Sequence, residues 1–140
     1  MGCLTPQPPL PTQAIVQTVL QRWPEALCIY AFGSRVTGQA GPQSDADLAV
    51  LVPGYADPLE LWDVASELTD TLHCPVDLLD FRMASTVMQY QVLTTGVRLW
   101  AKDVRASLFE AFVLSEKTNL DEARAGLMAD IARRGSVYAR

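Results

Sequence analysis

The sequence predicts a domain of mixed helix and strand, α/β or α+β, with a helical C-terminal part. Three observations carry this. Short apolar runs of strand length alternate with amphipathic helical patterns up to residue 101. Residues 102–140 then read as helix with no further strand. The chain has 140 residues, 49% hydrophobic and 19% charged, which suits one core and not two. We therefore expect a proline-rich flexible start over residues 1–11 and a single domain over 12–140.

The elements follow in order. Pro11-Thr12 is a helix start, and Ile15, Val16, Val19, Leu20 and Trp23 recur at helical spacing until Pro24. Residues 26–32 form an apolar run read as a buried strand. Residues 33–44 are rich in Gly, Ser, Gln and Pro, and predict a loop with at most one helical turn. Residues 45–52 are a second strand, closed by Pro53-Gly54. Asp57-Pro58 opens a helix with Leu61, Trp62, Ala65, Leu68 and Leu72 on one face. Trp62 and Trp100 are assigned to the core. His73 is placed in a loop before a third strand at 75–81. A helix over 85–95 ends at Gly96, and 97–101 is a short fourth strand. Two helices follow, 103–118 and 120–134, separated near Asn119.

Composition excludes several function classes. Lys and Arg number 11 against 16 Asp and Glu, a net charge of -5. That balance argues against direct nucleic-acid binding, which needs a basic surface. The polybasic segment that favours an anionic membrane is also missing. No run of about 18 apolar residues spans a bilayer. The three cysteines (Cys3, Cys28 and Cys74) have no disulfide or zinc spacing. With no secretory signal pattern at the start, we expect a cytoplasmic protein.

Residues 33–47 carry the chemistry: Gly33-Ser34-Arg35, a polar stretch to Ser44, then Asp45-Ala46-Asp47. A glycine at the end of a strand lets a phosphate approach the backbone. Amides of a following helical turn and the Ser34 hydroxyl can hold phosphate oxygens. Arg35 and Ser44 are further candidate nucleotide-binding groups; for Arg35 a solvated side chain is the equal alternative. Asp45 and Asp47 project to one face of a strand, and two such carboxylates repel unless a cation neutralises them. Hard oxygen ligands favour magnesium or manganese held jointly with substrate phosphates. The third strand offers Asp77 and Asp80, which face opposite sides, so one of them joins the pair. Three carboxylates beside a phosphate-holding turn make a two-metal phosphoryl- or nucleotidyl-transfer site. A P-loop is rejected: after Gly33-x4-Gly38 come Gln39 and Ala40 where Lys and Ser/Thr belong.

This arrangement resembles the nucleotidyltransferases of the DNA polymerase β superfamily, whose motif is Gly-Ser, a spacer, Asp-x-Asp, and a third Asp on a later strand. The ten-residue spacer 35–44 and the small size resemble the minimal nucleotidyltransferases, in particular the antitoxins of type VII HEPN–MNT toxin–antitoxin pairs. Tyr90-Gln91-Val92-Leu93, Gly96-Val97-Arg98-Leu99-Trp100 and Asp130-Ile131-Ala132-Arg133-Arg134-Gly135 share that likeness, which spans about residues 12–140. It implies a polymerase β-like nucleotidyltransferase fold, a small mixed sheet flanked by helices with a helical C-terminal tail. It implies Gly33 and Ser34 as the triphosphate-binding pair, and Asp45, Asp47 and Asp77 as catalytic magnesium ligands. It also implies transfer of AMP from ATP to a tyrosine of a partner HEPN-domain ribonuclease toxin, which is thereby neutralised.

Asp80 is then a strand-end or capping residue. Asp121, Glu122, Arg124, Arg133 and Arg134 are read as a solvated helix face open to a partner, and Tyr138 as a tail residue. Two other functions stay open. One is a small-molecule nucleotidyltransferase of the aminoglycoside type, against which only about 60 residues follow the third strand. The other is a non-catalytic antitoxin that acts by binding alone, for which clustered carboxylates have no use.

Overall fold

A computed structural model describes residues 10–33, 36 and 45–134, with side chains through residue 129. Ser34, Arg35 and Ser44, the tail Tyr138 and residues 1–9 lie outside the described residues.

Helix α1, Thr12–Arg22, buries Ile15 and Val19 and ends at Trp23, before Pro24. Strand β1 is Cys28–Phe32 and β2 is Ala46–Leu51. Helix α2, Pro58–Leu72, starts at Asp57, whose carboxylate accepts the Leu59 amide at 2.9 Å. It stops at His73, which takes the left-handed conformation at φ 57°. Strand β3, Val76–Asp80, runs into a 3-10 turn, Phe81–Met83. Helix α3, Thr86–Thr95, is capped by Ser85, whose hydroxyl accepts the Met88 amide at 3.1 Å. Strand β4 is Val97–Ala101, and helix α4 is Val104–Arg134.

The strands form one sheet in the order β3-β2-β1-β4. β1 pairs antiparallel with β2 and β4, and β2 pairs parallel with β3. Helix α2 makes the crossover that the parallel pair requires. Ile29, Ala31, Leu48 and Val50 meet Ile15, Val19, Val64 and Leu68 of α1 and α2 on one face. Cys28, Tyr30, Ala49 and Leu51 meet Phe81, Val92 and Ala106 on the other. Helices on both faces explain why residues 48–51 are apolar without alternation.

Two expectations are corrected. Residues 103–134 do not form two helices; α4 is continuous through Asn119. One asparagine costs a helix only a few tenths of a kcal/mol. The ion pair between Lys117 and Asp121, at 2.8 Å, bridges the position. Trp62 is not a core residue and is 73% exposed. At 3.6 residues per turn it lies about 100° round from Leu61, off the stripe of Leu61, Val64 and Leu68 that packs inward. Trp100 does pack against the core.

Asp80 serves as the cap the sequence suggested and does more. Its carboxylate accepts the Arg82 amide at 3.0 Å and the Ala56 amide at 2.8 Å, tying β3 to the segment before α2. Arg82 donates to the carbonyls of Gly54 and Val52, which holds the same segment from the other side. Among the described residues no helix is long and apolar enough to cross a membrane.

Candidate functional site

The site is assembled by register. In the antiparallel pair Phe32 lies opposite Asp47, and in the parallel pair Asp47 lies opposite Asp77. The end of β1, Asp47 and Asp77 are therefore neighbours across three adjacent strands, each about 4.8 Å from the next. The short run of β1 and the crossover through α2 fix this alignment, because a one-residue slip would turn Asp47 into the opposite helical layer.

Gly33 follows β1 with φ 82°, a conformation that disfavours any side chain. A Cβ built there would overlap Oδ2 of Asp47 and stand 3.1 Å from its carboxyl carbon. The glycine is thus required both by its own backbone and by the carboxylate beside it. Beyond it, the Val36 amide donates to the Gly33 carbonyl at 3.0 Å, and the Val36 side chain packs against the core. Val36 is thus held both by Gly33 and by the core.

Asp47 is half-buried, whereas Asp45 and Asp77 are exposed. Burial pushes the Asp47 carboxyl above its ordinary value, and the charges of Asp77 and then Asp45 push the same way. None of the cationic side chains among the described residues forms an ion pair with any of the three. The structure brings Asp47 and Asp77 together and leaves Asp45 just ahead of β2, where the Ala46 amide starts the ladder on the Pro75 carbonyl at 2.9 Å. Among the described residues, no three Asp, Glu, His or Cys side chains converge as a set able to hold a metal ion.

That arrangement suits magnesium better than calcium or zinc. Magnesium dehydrates reluctantly and is usually held by one or two carboxylates together with substrate phosphates, so it needs no complete protein cage. The half-buried Asp47, its ionised form disfavoured by burial and then by Asp77 and Asp45, would gain from such a cation. Asp80 is buried, and each of its carboxylate oxygens accepts a backbone amide.

Sequence reasoning missed Trp62. This exposed tryptophan lines a cleft of about 370 Å³ with Asp77, Ser66 and Thr69. Placing residues 61–72 at 100° intervals was the signal that could have found it.

Residues 15–105 match the family model described as polymerase beta, nucleotidyltransferase. The chain is 34% identical to the protein adenylyltransferase MntA of Shewanella oneidensis over 117 residues, 84% of each chain. It is similar to a crystal structure of a toxin–antitoxin with AMP-PNP, at a TM-score of 0.77 and 33% identity, covering 88% of this chain and 99% of the other. It is also similar to a structure of tri-AMPylated Shewanella oneidensis HEPN toxin in complex with MNT antitoxin. There the TM-score is 0.70 and the identity 31%, covering 86% of this chain and 95% of the other.

Proposed function

Because this chain belongs to the polymerase beta nucleotidyltransferase family, we propose that it is a protein adenylyltransferase and an antitoxin. It transfers AMP from ATP to a tyrosine of a HEPN-domain toxin and so neutralises that toxin. The observation that carries this reading is the side-by-side placement of Asp47 and Asp77 beside a glycine that must be a glycine. The relatives supply the acceptor class: one is named a protein adenylyltransferase, and one solved complex holds an AMPylated HEPN toxin.

The residues divide the work as follows. Gly33 admits the triphosphate to the backbone at the end of β1, with Ser34, and Arg35 and Ser44 as further contacts. Asp45, Asp47 and Asp77 are the residues that would hold magnesium. Magnesium, when bound, neutralises triphosphate charge and lowers the barrier to attack at the α-phosphorus. The acceptor oxygen forms a bond to that phosphorus, the bond to the α,β-bridging oxygen breaks, and pyrophosphate departs. The phenolic proton is released to solvent. Occlusion of the toxin without catalysis would leave this raised carboxyl and its neighbours with nothing to do.

The reaction class is tested with two labelled nucleotides. With magnesium and the cognate HEPN toxin, label in the α-phosphate of ATP should appear on a toxin tyrosine, and label in the γ-phosphate should not. Chelation by EDTA should remove the transfer. Transfer of γ-label, or α-label on an aminoglycoside and none on the toxin, would contradict this function.

A further inference from the structure

Four large apolar side chains stand out along one side of the molecule. Tyr55, Leu59, Trp62 and Met83 are each about two thirds or more exposed, at 66, 75, 73 and 67%. Tyr55, Trp62 and Met83 line concavities beside β3, one of the two edge strands of the sheet. Two concavities run together there. The cleft that holds Trp62 and Asp77 is continued by a groove of about 910 Å³, which passes Leu79 to reach Met83, Met88 and Tyr55. Pro58, Leu61 and Leu78 line both. Contiguous exposed apolar surface of this kind marks a binding face.

The reaction says which substrate belongs on it. In-line displacement puts the attacking and leaving oxygens on opposite sides of the phosphorus. The triphosphate lies at Gly33, on the β1 side of Asp47, so pyrophosphate leaves on that side. The attacking hydroxyl then enters across Asp77, from the β3 edge. The groove at that edge is lined mainly by Leu, Met, Pro and Ala, with Tyr55 and Ser85; the Ser85 hydroxyl caps a helix, and the groove's one carboxylate, Asp80, accepts two backbone amides. A polycationic or polyhydroxylated small molecule finds little there to bind, whereas apolar side chains of a polypeptide do.

We propose that the β3 edge is the acceptor-docking surface. A segment of the protein substrate lies along it, with apolar side chains in the groove and the acceptor tyrosine ring against Trp62, its hydroxyl at Asp77. The proposal rests on the adenylyl-transfer reading above and adds to it where the protein substrate binds. Trp62 acts here as a specificity residue, offering an aromatic face for a ring. Exposed aromatic anchors of this kind carry much of the affinity of a protein interface.

The test is steady-state AMP transfer to the full-length cognate HEPN toxin by the wild type, Trp62→Ala, Trp62→Phe and Met83→Asp. Trp62→Ala and Met83→Asp should each raise KM for the toxin by about tenfold or more. Their kcat at saturating toxin and their Kd for AMP-PNP should stay near the wild-type values, and Trp62→Phe should recover most of the toxin affinity. Both positions are exposed, so melting temperatures should not move. An unchanged toxin KM in Trp62→Ala and Met83→Asp overturns the proposal. So does weaker AMP-PNP binding with toxin KM intact, which would assign Trp62 to the adenine ring. If the wild type labels no toxin, the adenylyl-transfer reading has itself failed, whatever the variants do.

Discussion

Replacing Asp45 and Asp47 together by asparagine should lower AMP transfer about 10³-fold or more while leaving the fold in place. The size follows from losing cation-mediated charge stabilisation, which is worth several kcal/mol at the transition state. The effect on stability is less intuitive and more diagnostic. A carboxyl whose folded-state pKa is raised binds its proton more tightly folded than unfolded. Its stabilising contribution is complete below the ordinary carboxyl value, 3.8, and is lost as pH rises through the raised value of Asp47. Without divalent cations, the variant should therefore melt above the wild type at pH 7, and the two should converge as pH falls toward 3.8. Melting curves across that window, paired with a transfer assay, check both halves. A variant that melts well below the wild type at pH 7 would mean that the carboxylates serve the fold and not a cation.

Gly33→Ala should cost both activity and stability. The methyl group meets Oδ2 of Asp47, and φ 82° is unfavourable for any residue with a Cβ. The backbone penalty is about 1–3 kcal/mol. Relief of the overlap turns or shifts the Asp47 carboxylate beside Asp77, so transfer should fall about 100-fold; small misplacements of catalytic groups have effects of this order. Urea unfolding and the transfer assay together are decisive: full activity in Gly33→Ala would show that Asp47 need not sit where the structure has it. Gly54, also at positive φ but with nothing near its absent side chain, is the control. Gly54→Ala should lose stability without a selective loss of transfer.

Much of this was legible from residues alone, for identifiable reasons. Asp57-Pro58, Ser85 and Gly96 mark helix ends because capping and chain reversal demand those residue types. The separation of Asp77 from Asp80 follows from strand periodicity, and the structure places one beside Asp47 and the other under two backbone amides. Other features depend on tertiary packing. That β3 lies at the sheet edge, and that Asp77 falls level with Asp47, are facts of strand order and register that no local pattern encodes. Trp62 is exposed although an aromatic residue at near-helical spacing resembles core, because only the packing of the helix on its sheet decides which face turns inward. Asn119 was misread because a weak helix former is outvoted by the turns on either side. The polar stretch 34–44 contributes candidate phosphate ligands by chemistry alone, since only Val36 within it is described.

Adenylyl transfer by this chain uses ATP to modify a protein in the function proposed above. Its most direct test is the intact mass of the cognate HEPN toxin after incubation with ATP, magnesium and this chain. The toxin should gain the mass of one or more adenylyl groups with the wild type and none with the Asp45→Asn/Asp47→Asn variant. A toxin of unchanged mass that is nonetheless neutralised, or one equally modified by the variant, would contradict the account.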